Sequence, residues 1–98
     1  MKVGTVVKLL VPCLGNPSEA VGVCYEEYHI GSDKGSSFIF ANGSYDGFSE
    51  DEQESFLREI GYDYNVGSYI FTNVMRVSDD FRNGFWDSVF KEGIYAVL

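Results

Sequence analysis

Turn-forming residues interrupt the first half of the chain so often that no element there can exceed about ten residues, which points to short strands with tight connections. Val3 to Val11 is rich in β-branched residues, which suit a pleated strand, and Pro12 stops it. Leu14-Gly15-Asn16-Pro17-Ser18 is a loop in which Gly, Asn and Pro each favour a turn for a separate backbone reason. Ala20 to His29 is a second strand. Alternation sends Val21, Val23 and Tyr25 to one of its faces and Cys24, Glu26 and Tyr28 to the other. A polar turn at Gly31-Ser32-Asp33-Lys34-Gly35 leads to a third strand, Ser37 to Ala41. Asn42-Gly43 then marks a hairpin, with positive φ expected at both residues of a primed turn, and Ser44 to Phe48 returns as a fourth strand.

A helix follows. Ser49 with Glu52 three residues on is a capping box, and Glu50 and Asp51 place negative charge where the helix dipole favours it. Phe56, Leu57 and Ile60 supply an apolar stripe, and Gly61 suits a left-handed cap, so the helix is placed at 50–60. Tyr62 to Gly67 reads as a loop and Tyr69 to Val77 as another strand. Phe81, Phe85 and Val89 recur at helical spacing behind Ser78, which predicts a second short helix over 79–90, although Arg82-Asn83-Gly84 also fits a turn in a bent strand. Ile94 to Leu98 is a last strand or a frayed end.

Such a pattern fits a mainly β, α+β fold: a small barrel or a curled antiparallel sheet. Ninety-eight residues without repeats or linkers suit one domain, 1–98. Eight Phe, seven Tyr and one Trp give a short chain large buried areas per residue.

A resemblance rests on four segments. Val3-Gly4-Thr5-Val6-Val7, the Pro-containing loop, Gly22-Val23-Cys24-Tyr25-Glu26 and Phe38-Ile39-Phe40-Ala41-Asn42-Gly43 resemble the front half of an SH3-like barrel. Together with the Tyr45-Asp46-Gly47-Phe48-Ser49 turn into an acidic helix, they are similar to small bacterial or phage-borne proteins of unknown function. The resemblance implies an SH3-like barrel in which the helix at 50–60 is an insertion. It assigns no task, because such barrels serve unrelated ones.

Net charge of −8 with scattered Lys and Arg argues against a nucleic-acid backbone as partner. Nothing approaches the ~20 apolar residues of a membrane span, no secretion signal is complete, and a cytoplasmic protein is expected. Cys13 and Cys24 are read as reduced thiols, with a bridge across a hairpin left open. With His29 they are the only candidates for nucleophilic or zinc chemistry, and no local signature surrounds them. The acids from Asp46 to Asp63 match neither a calcium loop nor a glycosidase pair. No enzyme and no cofactor is expected. The aromatic residues divide into Phe as packing and Tyr25, Tyr28, Tyr45, Tyr62 and Tyr64 as candidate contacts for a protein partner. The expected function is a non-enzymatic interaction module with an SH3-like core. The alternative is an acidic inhibitor or immunity-type protein on a basic partner surface.

Overall fold

In the computed structural model, which describes residues 1–98, β1 (Thr5–Leu9) is the strand on which the others are built. It pairs antiparallel with β2 (Val21–Ile30) on one side and β5 (Leu57–Tyr62) on the other. β3 (Asp33–Phe40), β4 (Tyr45–Ser49) and a short β6 (Ala96–Val97) extend the antiparallel order to β4-β3-β2-β1-β5-β6. Three short helices, α1 (Glu50–Phe56), α2 (Val74–Arg82) and α3 (Asp87–Phe90), and a 3-10 turn at Val66–Ser68 complete a mainly β, α+β structure. Register shifts between Val6 and Val7, and between Cys24 and Glu26, insert extra residues that bend and twist the sheet.

Both faces of the sheet are covered, so two cores form. Val6, Val23, Tyr25 and Ile39 pack with Val66, Val77, Trp86 and Val89 beneath α2 and α3. Val7, Leu9, Cys24, Phe38, Phe40, Phe48 and Leu57 form the second core, closed by Phe56 of α1. Trp86 is fully buried, and its indole N–H donates to the Val77 carbonyl at 3.3 Å, which removes the cost of an unpaired donor. The faces of β2 are as alternation predicts for Val21, Val23 and Tyr25 against Cys24, but the bulge at Tyr25 carries Glu26 and Tyr28 onto the Tyr25 face and away from Cys24, with which strict alternation groups them.

The capping box is present: Ser49 Oγ accepts from the Glu52 N–H, and the Glu52 carboxylate accepts from the Ser49 N–H. The helix is shorter than 50–60, however, because from Leu57 the chain turns extended and satisfies its backbone on the free side of β1. Phe56, Leu57 and Ile60 therefore form no single stripe; Leu57 enters one core and Ile60 borders the other. Gly61 is a strand residue and caps nothing. A Cβ there would collide with the Ala96 carbonyl, so this glycine permits the approach of β6.

Residues 69–77 do not form the expected strand. Asn73 accepts from the Arg76 N–H at 2.9 Å and starts α2 at Val74, which turns Val77 into the core. The helix expected over 79–90 begins earlier and is split in two at Asn83-Gly84, where Gly84 has φ +82°. Ser78 lies inside α2 and caps nothing. The β3–β4 connection is also looser than a primed turn. Only Gly43 has positive φ, and its N–H bonds back to Phe40, as in a three-residue loop ending in a left-handed residue. Tight chemistry appears instead at Cys13-Leu14-Gly15-Asn16, where Leu14 and Gly15 take φ +52° and +78° and Cys13 pairs with Asn16.

Asp63 ties the end of β5 to the helical layer. Its buried carboxylate accepts from the Asn65 and Val66 N–H groups and from the Ser88 hydroxyl, so one side chain links β5, the 3-10 turn and α3. Asp63→Ala leaves these donors without their acceptor and is expected to cost about 2–3 kcal/mol, since hydrogen bonds to charged groups contribute about 1.5–3 kcal/mol. Urea denaturation measures it. An unchanged midpoint would show that the contact does not hold the helical layer.

Candidate interaction surface

Beyond its pairing with β1 at Val21–Val23, β2 runs on to Ile30 with only β3 beside it. This arm carries Tyr28. A Cβ on Gly35 would collide with the Tyr28 hydroxyl, and one on Gly47 would press on the ring, so Tyr28 lies across a shelf of glycines on β3 and β4. The ring is thereby fixed, half-buried, with one face against backbone. Tyr45 pairs with Ile39 and so shares this face of the sheet; it is exposed. Glu26 is beside them, its carboxylate accepting from the Ser37 hydroxyl at 2.8 Å.

The five candidate tyrosines thus separate. Tyr28 and Tyr45 meet on the β2–β4 face. Tyr25 adjoins them but is only 2% exposed and packs on Phe71, so it is a core ring and presents no contact surface, contrary to the sequence reading. Alternation with Val21 and Val23 points it under the helical layer, where Phe71 covers it. Tyr62 and Tyr64 form a separate edge-to-face pair at the end of β5, with the Lys2 ammonium 4.4 Å from the Tyr62 ring centre.

Charge is distributed unevenly. Lys8 and Arg58 share Glu19, while Arg76 meets Asp80, Arg82 meets Asp79 and Lys91 meets Asp87. Of the carboxylates outside these pairs, Glu26, Glu27, Asp33, Asp46, Glu50, Asp51, Glu52 and Glu54 lie on β2, β3, β4 and α1; only Glu59, Asp63 and Glu92 lie elsewhere. Lys34 is the one Lys or Arg on these four elements. Partial burial, then the charges of Glu52, Asp33, Asp46 and Glu26, push the Tyr28 hydroxyl up from the ordinary tyrosine value. The ring therefore stays neutral and sits in a negative field. On the opposite side of the arm an open groove of about 320 Å³ runs between α1 and the hairpin, lined by Glu27, His29, Lys34, Glu50 and Gln53.

The candidates for nucleophilic chemistry are not assembled. Cys24 is buried, its thiol directed at the Met1 and Glu26 carbonyls. His29 is exposed five residues further along β2, about 17 Å away at strand rise. Cys13 is in the loop before β2, and both thiols are free. No three His, Cys, Asp or Glu side chains converge in a metal-holding group. No helix is long and apolar enough to cross a membrane.

Comparison with protein families, with curated proteins and with solved structures gives no match to this chain. The glycine shelf had a sequence signal, Gly35 and Gly47 in strands where glycine is otherwise unfavourable, but only the register shows which ring uses it.

Burial pushes the Cys24 thiol up to about 11 and the Tyr25 hydroxyl up to about 12. Both groups hold their protons more tightly folded than unfolded. The stability they contribute is complete below pH about 9 and is lost as pH rises through 9–12. Urea midpoints at rising pH are expected to fall across that window, and Cys24→Ala to flatten its lower half. In the native protein at pH 8, Cys13 is expected to react with a disulfide reagent well before Cys24. Equal rates would contradict the burial of Cys24.

Proposed function

We propose that the protein is a non-enzymatic interaction module whose contact surface is the acidic β2–β4–α1 face around Tyr28 and Tyr45, and that its partner is a protein with a basic surface. The observation that carries this reading is the gathering of Glu26, Asp33, Asp46 and Glu52, none of them in an ion pair, around a fixed aromatic ring. An arginine or lysine brought there gains both charge attraction and the ring face, and an isolated cation–π contact is worth about 0.5–2 kcal/mol. A chain with this field has little attraction for a nucleic-acid backbone. The β2–β3–β4 meander on β1, with β5 returned beside β1, supports an SH3-like core for the module. Its free thiols suit a reducing cytoplasm. Inhibition of a basic enzyme or nucleic-acid-binding protein is one use of such a surface.

Binding of a fluorescent deca-arginine peptide, followed by anisotropy, tests the location. The double variant Glu26→Gln, Asp33→Asn removes two of the charges around Tyr28; Glu59→Gln, Glu92→Gln removes the same charge elsewhere. The first is expected to weaken binding about fivefold or more, the second less than about twofold, because exposed charges are screened over about 10 Å at 0.1 M salt. Tyr28→Ala is expected to lose about tenfold, the upper part of the cation–π range. Equal losses in the two double variants would remove the surface.

A further inference from the structure

β4 is an edge strand, paired only with β3. The Phe40 N–H bonds to the Ser44 carbonyl, and that alternation turns the backbone groups of Tyr45, Gly47 and Ser49 away from β3. An exposed edge of this kind is a template for another strand. Here two of its outward donors are already occupied by carboxylates of the same segment. The Gly47 N–H donates to Asp46 Oδ1 at 2.8 Å, and the Ser49 N–H to Glu52 Oε1 at 2.9 Å. The opposite edge is β6, only two residues long.

These carboxylates sort the strands that can approach. A second copy of β4 brings Asp46 and Glu52 against Asp46 and Glu52, so like charges meet over a short edge. A strand bearing Lys or Arg offers those carboxylates a cation, which draws them off the backbone and frees the donors. Alternate side chains of an added strand fall beside Asp46 on one face and beside Tyr45 on the other, since these neighbours point to opposite sides of β4. The geometry points to β4 as the seat of an extended partner segment that alternates basic and apolar residues and adds as a seventh strand. This rests on the basic-partner reading above and adds how such a partner is held.

The probe is a seven-residue peptide of alternating lysine and valine, blocked at both ends, compared with the same peptide N-methylated on alternate residues to remove the donors of one edge. Anisotropy gives affinity, and amide hydrogen exchange reports Gly47. The expected result is binding of the first peptide, at least tenfold loss for one of the two N-methylation patterns, and slowed exchange at Gly47. Equal affinity for all peptides with unchanged Gly47 exchange overturns strand addition and leaves the acidic surface standing. Failure of every lysine–valine peptide while deca-arginine still binds overturns strand addition in the same way. Failure of deca-arginine as well overturns the basic-partner reading with it.

Discussion

β1 is buried on both faces, and the rest of the fold depends on that. Val6 and Val7 are adjacent and fully buried, yet they enter different cores because successive strand residues face opposite ways. Each face then requires its own cover. α1 closes one side through Phe56, and α2 with α3 closes the other through Val77, Trp86 and Val89. β1 is only five residues long, so it cannot accompany β2 over its full length. The outer part of the β2–β3 hairpin projects past both cores and has no apolar layer to join. Its polar residues are exposed and Tyr28 is only half-buried for that reason, and this arm carries the proposed surface.

Electrostatics then divides the molecule. Cations outside the arm are largely neutralised by neighbours, in surface pairs that contribute little stability, typically about 0–1 kcal/mol. The arm and the first turn of α1 keep their charge. Some of those acids have local work as well: Glu52 completes the cap, and Asp46 occupies a backbone donor on β4. The same groups that stabilise the helix start and protect the strand edge therefore set the field around Tyr28.

The strands of the first half, the order of turns and the start of α1 were legible in the sequence because each has a local cause: β-branched runs, Gly, Asn and Pro, and the Ser49–Glu52 pair. Where tertiary demand overrode local preference, the sequence misled. Leu57 to Gly61 continue a helical pattern but are taken by the free side of β1. Val74 and Val77 look like strand residues, yet Asn73 caps a helix through them. Tyr25 looks like a surface ring, yet it shares the core face of Val21 and Val23 and Phe71 closes over it; the bulge beside it brings Tyr28 round to that same face. The candidate surface was half legible. Tyr28, Tyr45 and the excess of acids could be named, but their meeting depends on the register of β2, β3 and β4, which no single segment encodes.

A basic partner is proposed to meet the β2–β4–α1 face. A chemical-shift map of the backbone amides on titration with an arginine-rich peptide tests it most directly. The largest changes are expected at Glu26, Tyr28, Tyr45 and Gly47, with little change along α2 and α3. Changes centred on Tyr62, Tyr64 and Ile94, or spread evenly over the surface, would contradict it.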